Sequence, residues 1–183
     1  MVDMRQDIEE ILYTEEQINE MVRRLGAEIT RDYQDKDLVV VGVLKGAIMT
    51  TADVLRHIDL PCTIDFVAAS SYGSKSETSG EVQICKDITT DLTGKHVLLV
   101  EDILDTGVTL TRLCRLLADR GCASVKLCVL FDKPERRIVP ITADYVGGVV
   151  PNKFIVGYGL DYNEKYRNLP YIAVLKPEIY AES

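Results

Sequence analysis

Residues 97–112 read VLLVEDILDTGVTLTR, and few folds accommodate that order of residues. Val97, Leu98, Leu99 and Val100 form a short apolar run suited to a strand buried on both faces, the kind found in parallel sheets covered by helices. Glu101 and Asp102 end the run with two adjacent carboxylates. Asp105, Thr106, Gly107, Val108 and Thr109 then lead into a helical pattern with Leu110, Leu113, Leu116 and Leu117 on one side. Thr106 and Thr109 suit helix-entry caps, and Gly107 lets backbone approach a ligand with no Cβ in the way. Strand, loop and helix N-terminus together make a phosphate site, because unpaired N–H groups and the positive end of the helix dipole converge there. Two acids beside such a cradle repel an anion unless a divalent cation or a sugar hydroxyl lies between. Magnesium takes oxygen ligands, commonly one or two carboxylates with water and substrate phosphates. The same residues also suit a doubly wound domain whose acidic loop merely faces water.

Elsewhere the pattern of strand, tight loop and helix recurs. Thr14 and Gln17 have capping-box spacing, and Ile18, Met21, Val22, Leu25 and Ile29 follow at helical intervals to about Tyr33, with Arg23, Arg24 and Arg31 expected on a solvated face. A buried strand is predicted over 38–44, then Lys45, Gly46 and Ala47, then a helix over 48–58. Strands over 63–69 and 81–88 flank SSYGSKSETSG, a long connection suited to a lid or a flexible hairpin tip. Arg120 and Gly121 suit the end of the central helix. A strand over 125–131 follows, closed by Asp132, Lys133 and Pro134, with Glu135, Arg136 and Arg137 expected as solvated loop charges. The last strand is expected over 171–175. His57 and His96 stand apart from these motifs.

The length of 183 residues predicts one domain, 1–183. With 29 acidic and 21 basic residues the formal charge is -8, which argues against broad electrostatic binding to nucleic acid or anionic membrane. No apolar run approaches a membrane span, and the opening MVDMRQDIEE has neither a basic nor an apolar leader region, so a cytoplasmic location is expected. Cys62, Cys85, Cys114, Cys122 and Cys128 lack C-x-x-C spacing, so mostly buried thiols are expected rather than a disulfide framework or zinc site.

VLLVEDILDTGVTL resembles the phosphoribosyl-pyrophosphate signature of the type I phosphoribosyltransferases. Its pairing with PNKFIVGYGLDYNEKYR at 151–167 narrows the resemblance to the hypoxanthine-guanine branch, over about Leu12 to Glu178. The resemblance implies an α/β fold: a mostly parallel twisted sheet flanked by helices, with ligand at the strands' carboxyl ends near the topological switch point. A small hood over the base is expected from the chain termini and the 145–171 region. The implied activity is purine salvage, moving ribose 5-phosphate from phosphoribosyl pyrophosphate to N9 of hypoxanthine or guanine with magnesium as cofactor.

Residue roles carry over in the same way. Asp105 matches the general base, Glu101 and Asp102 the acids that hold the ribose hydroxyls, and Asp105, Thr106, Gly107, Val108, Thr109 and Leu110 the 5-phosphate loop. Leu44, Lys45 and Gly46 match the pyrophosphate loop, whose backbone N–H groups bind the leaving group, often with a non-proline cis peptide between the residues matching Leu44 and Lys45. Arg167 matches the arginine that clamps pyrophosphate with its fixed fork of donors. Lys133 matches a donor to the exocyclic oxygen at purine carbon 6, a contact that separates 6-oxopurines from adenine because an ammonium only donates. Phe154 would stack on the purine, the Ile155 backbone would bond its edge, and Asp161 would approach the base. Glu101, Asp102 and Asp161 are the metal candidates. Ser71 and Tyr72 match the start of a mobile loop that closes over the reaction centre.

Taken without the resemblance, Lys45-Gly46 is equally an ordinary turn, Lys133 a surface lysine, and VGYGLDY a strand and turn with tyrosine in the core. Two other functions stay open: a xanthine-preferring sister enzyme, and a nucleic-acid-binding regulator that keeps the phosphoribosyl-pyrophosphate site as a sensor. The acidic balance and the absence of an added helix-turn-helix segment speak against the regulator. The expected partners are phosphoribosyl pyrophosphate and a 6-oxopurine, with no nucleic acid and no membrane, in a homodimer or homotetramer.

Overall fold

The apolar runs near residues 38–44 and 97–100 become the two central strands of a six-stranded sheet. The structure, a computed structural model, describes residues 4–71 and 82–181. In chain order the elements are β1 (Ile8–Tyr13), α1 (Glu15–Asp32), β2 (Leu38–Leu44), α2 (Ile48–Leu55), β3 (Cys62–Ser71), β4 (Val82–Lys86), β5 (His96–Leu104), α3 (Val108–Ala118), β6 (Ser124–Asp132), β7 (Tyr145–Val149), β8 (Ile155–Val156), β9 (Ile172–Leu175) and α4 (Pro177–Tyr180). The large sheet has the order β4-β3-β2-β5-β6-β7, parallel except for the antiparallel edge strand β4. A second, antiparallel sheet has the order β1-β9-β8 and joins the two ends of the chain in the hood.

Successive side chains of a strand point to opposite faces, so an unbroken apolar strand needs cover on both. Val40, Leu98, Val100 and Leu130 pack with Ile18, Val22, Leu25 and Ile29 of α1. On the other face Val39, Val41, Val97, Leu99 and Val129 pack with Leu113 and Leu117 of α3. The expected capping box closes the start of α1: Gln17 N–H donates to Thr14 Oγ1 at 3.4 Å, and Thr14 N–H donates to Gln17 Oε1 at 2.9 Å.

Several expectations are corrected. Glu101 and Asp102 do not end the central strand: pairing of β5 with β6 carries it on to Leu104. Segment 145–149 joins the large sheet rather than the hood. Tyr145 is buried in the core and donates to Asp32 Oδ2 at 3.0 Å, while Arg24, on the solvated face where it is expected, also donates to the carbonyls of Val146 at 3.0 Å and Gly147 at 2.7 Å. The central helix ends at Ala118 with Asp119 as its cap, earlier than Gly121. Of the cysteines only Cys128 is buried; Cys62, Cys114 and Cys122 are half-buried and Cys85 is exposed. Ser71 closes β3, and Tyr72 lies outside the described residues.

Asp65 of β3 anchors the segment that follows β4. Its buried carboxylate accepts from Thr89 N–H at 2.8 Å, Thr90 N–H at 2.9 Å, both threonine hydroxyls, and Lys86 Nζ at 3.1 Å. Burial alone would raise its pKa, but the N–H bonds from Thr90, Phe66 and Thr89 hold it well below the usual carboxylate range. Its stabilisation is therefore present above the ordinary carboxylate pKa and is lost as pH falls below it. Asp65→Ala should cost about 3 kcal/mol by orphaning buried donors, read as a lower urea midpoint at neutral pH; an unchanged midpoint would remove this anchor.

Candidate active site

From the central pair β2 and β5 the chain runs outward in opposite directions, to β3 and to β6. Their following loops part at the carboxyl edge and leave a crevice, the usual ligand site of an open α/β sheet. The crevice holds a cleft of about 340 Å³. Leu44 and Gly46 line one side, and Glu101, Asp102, Asp105, Thr106, Gly107, Thr109 and Leu110 line the other. Asp161 and Arg167 reach in from the hood. Val43, Ala69 and Ile103 also line it, and no chemistry in the sequence singled them out. Eleven of the expected residues thus surround one space, whereas Lys45, Val108, Lys133, Phe154 and Ile155 are outside that lining.

The pieces fit closely. The peptide between Leu44 and Lys45 is cis. A Cβ on Gly46 would run into the Asp102 carboxylate, and one on Gly159, at φ 102°, would run into the Gly46 carbonyl oxygen. Two glycines therefore let the hood, the β2 loop and β5 approach at one point. Gly107, at φ 82°, is the N-cap of α3 and has no side chain to cap it, while the hydroxyl of the preceding Thr106 accepts from Val108 N–H at a long 3.5 Å. The expected capping by Thr109 is corrected, since it lies inside α3; Thr106, Gly107, Thr109 and Leu110 line the cleft, so the positive end of the helix dipole lies at it.

Charge at the site is uneven. Asp102 is 7% exposed, and its Oδ1 accepts from Ile103 N–H at 2.7 Å. Burial, and then the adjacent Asp102 charge, raise the Glu101 pKa well above the usual range. Burial also raises Asp102, against the lowering effect of Glu101, Ile103 N–H and Arg167. Arg167 donates from Nη1 to Gly159 O at 2.7 Å and pairs through Nη2 with Asp161 Oδ1 at 2.9 Å. Arg136 Nε lies 3.1 Å from Asp105 Oδ1, an ion pair without hydrogen-bond alignment. Arg137 is not a solvated loop charge: it donates to Asp105 O at 3.0 Å, Leu104 O at 3.2 Å and Ile141 O at 2.5 Å, and it pairs with Asp132.

Beside the cleft, Lys133 is buried and donates to Lys153 O at 2.7 Å, tying the end of β6 to the segment before Phe154; burial lowers its pKa. Phe154 stacks on Tyr180 at 4.8 Å between ring centres and meets Tyr162 edge-on at 5.6 Å, with 37% of the residue still exposed. Nothing in the local sequence signals Tyr180, which reaches Phe154 only because β9 brings the last helix back to β8.

Among the described residues no three His, Cys, Asp or Glu side chains converge to hold a metal by themselves. Asp161 is engaged by Arg167 and by Glu164 N–H at 2.9 Å. The adjacent carboxylates of half-buried Glu101 and buried Asp102 suit a hard divalent cation that takes its remaining ligands from substrate and water.

A family model described as "Phosphoribosyl transferase domain" matches residues 9–163. The sheet, with its crevice at the switch point, is the type I phosphoribosyltransferase fold. The chain is 50% identical over 177 residues to the hypoxanthine-guanine phosphoribosyltransferase of Bacillus subtilis, covering 97% of this chain and 98% of that protein. A solved hypoxanthine phosphoribosyltransferase of Staphylococcus aureus superposes with a TM-score of 0.93 at 50% identity, covering 97% of this chain and 96% of that one. The bifunctional protein TilS/HprT of Listeria innocua is 52% identical over 179 residues, and the chain spans 28% of its length. The chain belongs to the phosphoribosyltransferase family, in its hypoxanthine-guanine branch.

A carboxyl with a raised folded pKa holds its proton longer when folded, so its effect on stability is absent below the ordinary carboxylate range and turns unfavourable as pH rises towards the folded value. Glu101→Gln should therefore raise the melting temperature of the ligand-free protein at about pH 8, with the gain shrinking towards about pH 4. Melting curves across that range check it; a loss of stability at high pH would contradict the raised value.

Proposed function

We propose that the protein transfers ribose 5-phosphate from phosphoribosyl pyrophosphate to N9 of hypoxanthine or guanine, releasing pyrophosphate and forming the nucleotide, and that residues 1–183 act as one unit in doing so. The observation that carries the reading is the single cleft in which the acids of β5, the N-terminal turn of α3, the β2 loop and Arg167 meet. Its membership of the hypoxanthine-guanine branch supplies the substrate class.

In this reading the first-turn N–H groups of α3, with the loop Asp105, Thr106, Gly107, Val108, Thr109 and Leu110, hold the 5-phosphate. Glu101 and Asp102 hold the ribose hydroxyls, directly or through magnesium, with Asp161 as a further oxygen donor. Bound magnesium supplies positive charge against the phosphate oxygens of the substrate. Leu44, Lys45 and Gly46 bind the pyrophosphate through backbone N–H groups while Arg167 clamps it, so donors are aimed where negative charge develops as the C1–O bond breaks. The N9–C1 bond forms on the opposite face, and Asp105 takes the proton from N7 of the base.

The purine lies against Phe154, with its edge on the Ile155 backbone and its 6-oxo group on Lys133. Lys133 has three N–H donors and spends one on Lys153 O, so donors remain for the base. The setting is the cytoplasm and the assembly a homodimer or homotetramer. No helix among the described residues is long and apolar enough to cross a membrane, which suits that setting.

An absorbance assay with phosphoribosyl pyrophosphate, magnesium and each of hypoxanthine, guanine, xanthine and adenine tests the reading. Nucleotide should form from the first two and cease when magnesium is chelated. Dominant turnover of xanthine would instead make this a sister enzyme, and silence with every base would favour a sensor. Asp105→Asn should lower turnover by roughly 10²- to 10⁴-fold while phosphoribosyl pyrophosphate still binds; near-normal turnover would remove Asp105 from the role of base.

A further inference from the structure

The hood turns twice in quick succession. Gly157 and Leu160 bond each other's backbones across Tyr158 and Gly159, and Tyr162 and Lys165 do the same across Asn163 and Glu164. In the second hairpin Asn163 has φ 52° and Glu164 φ 62°, both left-handed. A two-residue turn of this kind favours Asn followed by Gly, because a side chain at the second position crowds the backbone. Glutamate there is a local cost.

Glu164 Oε2 accepts from Lys45 Nζ at 3.0 Å, and its Oε1 lies 3.5 Å from Arg167 Nη2. Lys45 belongs to the loop after β2, just outside the cleft lining, and Arg167 to the hood, within it, so one carboxylate bridges cations from two elements at the cleft. The pairing with Lys45 lowers the Glu164 pKa, which keeps the carboxylate charged. Its side chain is 64% exposed, so it does not anchor the core. Arg167 Nε is buried without a hydrogen-bond partner among the described residues, leaving this guanidinium with donor capacity for a further anion.

We propose that Glu164 is an internal anion that occupies the cations of the pyrophosphate site and is displaced when pyrophosphate binds. The proposal rests on the reading that residues 44–46 and Arg167 hold pyrophosphate, and it adds the Lys45 ammonium to that site. By competing for Lys45 and Arg167, Glu164 weakens the hold on pyrophosphate and so favours release of the product. It also keeps the two cations gathered at the cleft when no substrate is bound.

Calorimetric titration with inorganic pyrophosphate in a magnesium buffer tests this on the wild-type protein and on Glu164→Gln, Glu164→Gly and Arg167→Gln. Both Glu164 variants should bind pyrophosphate roughly two- to fivefold more tightly, the range expected for losing a competing exposed ion pair. Glu164→Gly should also melt no lower than wild type, because glycine accepts the left-handed turn. Arg167→Gln should bind at least about tenfold more weakly, as for a lost charge-assisted anchor. Binding that needs Arg167 but is unchanged or weaker in both Glu164 variants overturns the proposal alone. Pyrophosphate that fails to bind wild type, or binds it and Arg167→Gln equally, overturns the reading of the site and the proposal with it.

Discussion

Glu101 and Asp102 are neighbours in the chain and both face the cleft at the carboxyl edge of β5, where burial and mutual repulsion push the Glu101 pKa upward. Burial keeps water from fully solvating Asp102 there, and the Arg167 charge only partly offsets that burial. The surrounding construction answers that constraint. Gly46 brings backbone against Asp102 where a Cβ would collide, Gly159 brings the hood against Gly46, and Arg167 comes in with the hood. The helix dipole of α3 points its positive end at the same region. The fold thus concentrates charges that are costly without ligand and useful with one, since preorganised groups in a water-poor cleft act strongly on developing charge.

Strands buried on both faces were the most legible part of the fold. β2 matches the run 38–44 residue for residue, because Leu38, Val39, Val40, Val41 and Val43 all face core while Leu44 opens onto the cleft. β5 was cut short at its acids, since local polarity suggests an end while pairing of Ile103 with Phe131 and Leu104 with Asp132 continues the ladder. β1 and β7 could not be read locally. β1 exists because β9, far along the chain, pairs with it, and β7 contains Gly147 and Gly148, which weaken any strand pattern. Gly147 is required there: a Cβ would strike the Leu130 carbonyl oxygen.

One charged residue departs from its sequence pattern for a related reason. Arg137 lies in a segment that looks solvated, yet it is drawn inward by backbone carbonyls that need donors. Such demand arises from tertiary register and leaves no trace in periodicity. The residues proposed for the phosphate side are legible because most are contiguous at 101–110, whereas those proposed for the base side depend on distant segments. Lys133 follows β6, Phe154 precedes β8 and Tyr180 ends the final helix, and only the fold brings them near one another.

The central claim is that ligand charge completes this cleft, with ribose at the β5 acids and phosphate at the α3 turn. A crystal structure with phosphoribosyl pyrophosphate, magnesium and a non-reacting purine tests it most directly. The account predicts the ribose hydroxyls and magnesium at Glu101 and Asp102, the 5-phosphate at residues 105–110, and the purine on Phe154 with its 6-oxo group at Lys133. A 5-phosphate seated away from the α3 turn, or acids without contact to ribose or metal, would contradict it.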